Sequence, residues 1–471
     1  MTAPAANAPD PAASLFHGAA GIAGALVAGA LVSWIRFALG GTLNVQDLRP
    51  AQDLALGLAF AAAFAAASLL YFAALARAQG PLRPSLLLAA MLVQLAASPS
   101  LPLTSNDVFP NLAYGRLAGL GLSPAANRAA DLAADDPFVR PVDPQWRDRV
   151  SVYGPILNAL ASACARSGTV VSAFVRFKLA LLAAALATVA VLYGFCRTLG
   201  ANGAWTFCLV AFNPLLAWEV AGQAHNDGVM LLAMAGFLWA AAAGKQWLAS
   251  LLLTLGFAAK FAVAPLLLLH LVWMVRRSAW RAAAMAVAAA VLAAALFAPS
   301  WSGASTLRGP GYAAVPAPDH AVNSLGALPI FLARALWPAA VEPAFLAWLG
   351  LSSLVLGVLA LVCAWRSTTL EATVRNALVF TLLYECLGML WYEPWYATWL
   401  LPLAAGCGDR RLATIVACYS VLVPLLYHPS ELFGLAALGS HGLVLALLWR
   451  AGAWAWRRSG RQALETRLVC S

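Results

Sequence analysis

Apolar residues in this chain run in blocks of about twenty, separated by short polar or basic links. Runs of that length cross a bilayer as helices, at about 1.5 Å of rise per residue. The clearest are 16–39, 53–76 and 84–101, followed by 169–196, 203–221 and 226–244. A shorter pair, 246–259 and 261–275, comes next, then 281–298, 343–364, 375–391, 395–408, 412–427 and 432–450. The pattern predicts an all-α, polytopic transmembrane chain of about fourteen spans. One body covers 16–451, between an Ala/Pro-rich tail at 1–15 that reads as disordered and a basic tail at 452–471. The first tail lacks Lys and Arg, so it has no basic start of a signal peptide.

One long interval breaks the pattern. Residues 102–168 contain Asp107, Arg116, Asp131, Asp135, Asp136, Arg140, Asp143, Arg147, Asp148 and Arg149, and could not sit in lipid. Composition agrees with this division. Only 10% of residues are charged, against the quarter or so usual in soluble domains, which excludes a large soluble domain. The net charge of +10 is therefore read as basic cytoplasmic loops and not as a nucleic-acid surface. The eight cysteines are scattered and show no CxxC spacing, so neither a zinc site nor a disulfide framework is predicted.

Orientation follows the loop charges. Arg77, Arg83, Arg197, Lys245, Arg276, Arg277, Arg281, Arg366, Arg375, Arg410 and Arg411 fall in alternate loops, on the side of the basic tail. The positive-inside bias places both termini in the cytoplasm and the 102–168 segment outside a cytoplasmic membrane. Arg166, Arg176 and Lys178 go against the trend, but the opposite orientation would misplace more charges. Nearly every unusual polar or aromatic cluster then lies on the external face.

Asp107 leads these clusters, in Ser105-Asn106-Asp107 at the exit of the third span. A lone surface carboxylate is often merely solvated, whereas one at a membrane boundary facing a protein cavity marks a functional site. Tyr153-Gly154-Pro155 returns the chain to the membrane surface. In the 212–228 stretch, Asn213-Pro214 predicts a bend, and Asn226 or Asp227 a helix cap. Capping explains Asp227, but Glu219, Gln223, His225 and Asn226 beside it point to a polar cavity wall. The Glu219–His225–Asp227 spacing matches no strong ligand motif, so no metal is expected. Lys260 lies between two apolar runs; it is either a snorkelling lysine or, with Arg176 and Lys178, a cation for a lipid phosphate. Trp391, Tyr392, Trp395 and Tyr396 form an aromatic belt that is also dense enough to be a stacking platform for a sugar or an isoprenoid. His320 is a weaker candidate contact in the 299–342 loop.

In this order, the early acidic residue, Asn213-Pro214-Leu215, the Gln223–Asp227 hairpin, Lys260-Phe261 and the Trp391–Tyr396 segment resemble one superfamily. It is the GT-C glycosyltransferases, and within it the bacterial polyprenol-phosphate-mannose-dependent mannosyltransferases. The similarity runs from Ser105 to Pro402 and lies in the order of the motifs. It implies metal-independent, inverting transfer of a hexose, most readily mannose, from a polyprenyl-phosphate sugar to a lipid or glycan acceptor, without a cofactor. The family's base is an aspartate of the first large external loop, a position Asp107 occupies. The family often has a second acid beside it; here that neighbour is Asn106. Two other readings stay open: a transporter or flippase of a lipid-linked substrate, and a GT-C transferase of another sugar. Absence of an internal repeat and of mid-membrane charge pairs weighs against transport.

Overall fold

The computed structural model describes residues 11–40, 50–166, 168–298, 324–424 and 439–450, together with Pro318. Two expected features, His320 and the basic tail at 452–471, lie outside the described residues, as does most of the tail at 1–15. Among the described residues the architecture is entirely helical, with one isolated bridge between Arg128 and Val150.

The helices are α1 (Pro11–Gly40), α2 (Pro50–Arg77), α3 (Pro84–Ala97), α4 (Val108–Gly119), α5 (Pro155–Ala165) and α6 (Val170–Arg197). After α7 (Gly203–Ala211) come α8 (Asp227–Ala242), α9 (Gln246–Ala259), α10 (Ala264–Arg277) and α11 (Ala279–Phe297). The remainder are α12 (Leu328–Leu336), α13 (Val341–Arg366), α14 (Leu370–Leu383), α15 (Leu400–Gly406), α16 (Arg410–Leu422) and α17 (439–450). Local chemistry marks their starts. Proline stands in the first turn of α3, α5 and α10, where its missing N–H is not needed. Thr169, Thr369 and Asp409 cap α6, α14 and α16 through side-chain oxygens.

Five described helices are long and apolar enough to cross a membrane: α1, α2, α6, α11 and the one ending at Arg366. A sixth arises if Gly200–Ala211 and Pro214–Gly222 count as one bent span. The fourteen-span expectation is thus not reproduced by length and composition. Several runs read as spans are helices of only 14 to 16 residues, such as α3, α8 and α9, or are cut into short pieces, as at 394–406. The Asn213-Pro214 bend is present, at 43°. Asn213 Oδ1 accepts from the N–H groups of Leu215 and Leu216, and its Nδ2 donates to Ser420 Oγ, so the broken ladder is satisfied inside the protein.

The large apolar core joins α1, α2, α3, α6 to α10 and α14 to α17. Trp218, fully buried, packs on Phe60 of α2 at 4.7 Å. A second core holds the 102–168 segment together: α4 and α5 form a hairpin that covers the start of α6. Gly115 permits this closeness, because a Cβ there would lie 2.3 Å from the Ala161 carbonyl. Most charges of the segment are used in folding it. Arg116 pairs with Asp136 at 3.0 Å, Arg128 with Asp131 at 2.7 Å, and Asp143 caps the Pro144–Arg147 turn.

Candidate active site

A cavity of about 580 Å³ lies where the 102–168 segment meets the bundle. Its wall carries Asp107, Tyr153, Lys260 and Glu393, with the aromatic Trp395 and Tyr396. Phe261, Pro265, Leu356 and Phe380 add apolar surface, Leu356 from α13, a helix mostly exposed on the bundle surface. The cavity therefore combines charged, aromatic and aliphatic walls.

Asp107 stands at the start of α4, with its backbone N–H donating to Ser105 Oγ at 3.0 Å. Asn111 Nδ2 donates to the Asp107 carbonyl at 2.7 Å, and Asn226 Nδ2 donates to Asn111 Oδ1 at 2.9 Å. Asn226 is thus a cross-brace, and it makes no side-chain cap to α8, contrary to expectation. Burial pushes the Asp107 carboxyl above the usual range, opposed by His225 first and Lys260 second. Such a carboxylate is a stronger base than one in open water.

The 212–228 stretch holds Asp107's approach. Gln223 Oε1 accepts from the N–H groups of Leu103 and Thr104, at 2.8 and 3.2 Å. Its Nε2 donates to Ser100 Oγ and the Leu101 carbonyl, and Trp218 Nε1 donates to Thr104 Oγ1. A π-helical turn, Ala217–Gly222, then leads through Ala224, which has a left-handed φ of 61°, to α8. A non-glycine residue in that region is strained and is held there by its surroundings. The turn places His225 within 3.1 Å of Glu219, out of hydrogen-bond alignment, and stacks it on Trp395 at 4.0 Å. Glu219, His225, Asn226 and Asp227 are buried behind the cavity wall.

Lys260 is not a snorkelling lysine. It sits in the break between α9 and α10 and donates to Asp227 Oδ1 at 2.6 Å. Trp399 Nε1 donates to the same oxygen. Rings of Tyr153, Tyr396 and Trp399 surround the ammonium at 5.7, 5.3 and 5.1 Å, within cation–π range. Tyr153 reaches this place because Gly154 abuts the end of α9: a Cβ at Gly154 would lie 2.0 Å from the Ala258 carbonyl. Its N–H donates to Ala259 O at 3.0 Å. Burial, with the Asp107 and Asp227 charges nearby, pushes the Tyr153 phenol well above its ordinary value.

The structure gathers Asp107, Tyr153, Lys260, Trp391, Trp395 and Tyr396 on one cavity. Besides Glu219, His225, Asn226 and Asp227, which stand behind the wall, three more expected contacts are elsewhere. Arg176 donates to the Cys164 carbonyl and Lys178 to the Gly222 carbonyl, so both fasten α6 to its neighbours and neither lines the cavity. Tyr392 is fully buried and turned towards Tyr419 and His441, at 6.2 and 4.8 Å. Gln223, expected in the polar wall, braces the 100–104 coil and does not line the cavity. Three participants were missed. Glu393 and Trp146 line the cavity, and both stand out in sequence, one as an acid among aromatics, the other as a tryptophan in a polar stretch. Trp399 was inside a pattern already explained by an apolar helix. Among the described residues no group of His, Cys, Asp and Glu is arranged to hold a metal ion.

A helical membrane chain whose half-buried carboxylate and caged ammonium share one cavity with aromatic and apolar walls fits the GT-C class of glycosyltransferases. A family model described as "Alpha-(1->6)-mannopyranosyltransferase, N-terminal domain" matches residues 15–298, more than half of the chain. The chain belongs to that family, and it is a membrane glycosyltransferase. It is similar to alpha-(1->6)-mannopyranosyltransferase A of Mycobacterium tuberculosis, 25% identical over 375 residues that cover 76% of this chain and 70% of the relative. Family membership makes the chain an enzyme, in place of the transporter or flippase considered from sequence.

Proposed function

We propose that this enzyme transfers a mannosyl residue from a polyprenyl-phosphate donor to a lipid or glycan acceptor, on the non-cytoplasmic face, with inversion at the anomeric carbon. The observation that carries the reading is the cavity whose wall holds both Asp107 and Lys260 together with apolar and aromatic side chains. In this reading the apolar wall takes the prenyl chain, Lys260 the phosphate, and the polar and aromatic wall the sugar. Asp107 takes the acceptor hydroxyl proton as the new C–O bond forms and the bond from anomeric carbon to phosphate oxygen breaks. The polyprenyl phosphate departs already charged and needs no acid. Lys260 stabilises its growing negative charge. Tyr153, Trp395 and Tyr396 close the chamber around the sugar and exclude water. No step needs a metal or a cofactor.

The test compares membranes carrying wild type or Asp107→Asn, supplied with radiolabelled polyprenyl-phosphate mannose. Label should enter lipid or glycan with wild type alone, at equal protein abundance. Turnover by the Asn variant would remove Asp107 from the mechanism. Failure of wild type with mannose, but transfer from a glucosyl or pentosyl donor, would replace the sugar.

A further inference from the structure

Three carboxylates line the cavity among the described residues: Asp107, which the transfer mechanism uses, Asp143, which caps the Pro144–Arg147 turn, and Glu393, which has neither task. Trp391 Nε1 donates to its Oε1 at 2.5 Å, and its backbone carbonyl accepts from the Tyr396 N–H at 3.0 Å. Pro394 follows directly and stiffens the backbone on that side. The clamp is itself clamped: the Trp391 ring packs at 5.2 Å on Trp146, from the 102–168 segment. Glu393 is thus rigid, half-buried and cavity-lining, and its Oε2 has no protein partner among the described residues. An acid fixed by one oxygen with the other turned loose in a sugar-sized chamber is an arrangement for recognising hydroxyls.

We propose that Glu393 is the specificity-determining residue of the cavity, hydrogen-bonding hydroxyls of a hexose ring while Trp391 holds it in place. The inference rests on the glycosyl-transfer reading above, and concerns which sugar that site accepts. Burial first, then the Asp107 charge, pushes the Glu393 carboxyl up to about 8. At neutral pH it therefore carries its proton most of the time and donates as well as accepts. A site built to hydrogen-bond a substrate hydroxyl discriminates far more sharply than an apolar pocket, because the wrong epimer leaves a desolvated group unpaired. The adjoining Trp395 and Tyr396 faces supply apolar contact for the ring. Both the donor's sugar and a glycan acceptor present this chemistry, and the experiment separates them.

Full-length wild type, Glu393→Gln and Glu393→Ala are purified in detergent, and initial rates measured while donor and acceptor are varied separately. The donors are mannosyl and glucosyl polyprenyl phosphate, and the analysis follows whichever the wild type uses. Glu393→Ala should raise KM for one of the two sugar substrates about ten- to a hundredfold, with a smaller fall in kcat. Glu393→Gln, which keeps shape and hydrogen bonding, should restore part of that KM while losing at least about tenfold of the mannose-over-glucose preference. A donor KM effect assigns the donor ring, an acceptor KM effect the acceptor ring. Unchanged KM and preference in both variants, at wild-type turnover, would overturn the inference and leave the transfer reading intact. Collapse of kcat in both variants with KM unchanged would also overturn it, making Glu393 a base. A wild type inactive with every donor would instead sink the transfer reading and this inference with it.

Discussion

Replacing Lys260 by Met separates what holds the site together from what does chemistry in it. The lysine and Asp227 have side chains only 13% and 1% exposed and touch at 2.6 Å. Removing the ammonium strands a buried carboxylate, which costs about 3–5 kcal/mol of stability. Three ring contacts at 5.1–5.7 Å are lost as well, each contributing about 0.5–2 kcal/mol. Total stabilities of domains are about 5–15 kcal/mol, so the single variant should melt many degrees lower. Adding Asp227→Asn removes the stranded charge, and the double variant should regain most of the melting temperature. It should not regain transfer. Loss of a charge that stabilises the departing phosphate lowers kcat about 10²–10³-fold, or about 2.7–4 kcal/mol of barrier. The assay pairs thermal unfolding in detergent with single-turnover transfer of radiolabelled mannose from polyprenyl phosphate to the acceptor. A double variant that is stable and turns over within about threefold of wild type would refute the reasoning, because Lys260 would then be only a strut.

Other expectations follow from the same geometry. His225 is the largest influence opposing the upward push on the Asp107 carboxyl; in His225→Ala that carboxyl should titrate higher still. Since the base must be unprotonated, the acid limb of the kcat/KM profile should move to higher pH, and an unmoved limb would exclude the coupling. Gly154→Ala places a Cβ 2.0 Å from the Ala258 carbonyl, so it should destabilise by about 1–3 kcal/mol and raise KM by shifting Tyr153, as melting and kinetics would reveal. Gln223→Leu leaves the Leu103 and Thr104 N–H groups and the Leu101 carbonyl without their partner. It should cost about 1–3 kcal/mol and lower kcat without touching the cavity, and a variant with normal kcat would show that Asp107 is held by other means.

Much of this site was legible in the sequence because charge in an apolar chain is conspicuous. Asp107, Lys260, Trp391, Trp395 and Tyr396 stand out against lipid-compatible neighbours, and they do share a cavity. What could not be read was pairing. Lys260 is 33 residues from Asp227, and Trp399 lies 172 residues from it. Such contacts depend on how helices stack, and all-round apolar helices carry no facing signal. Arg176 and Lys178 misled for a related reason: a cation near a site reads as a ligand contact, yet cations readily bind backbone carbonyls left over at helix ends. Runs such as 84–101 contain both a short helix and the coil that delivers Asp107, so a run of apolar residues does not by itself mark one long helix.

The caged ammonium straddles a boundary in the chain. Asp227 and Tyr153 belong to the part matched by the family model, which stops at residue 298, whereas Tyr396 and Trp399 come from beyond it. So does the Trp391–Glu393 clamp, while Asp107 lies on the matched side. On the proposed reading, the proton-accepting residue and the sugar-selecting residue come from separate stretches that meet at one lysine. Grafting the later stretch from one relative onto the earlier stretch of another should then exchange which glycan is made while leaving the bond-making step as it was.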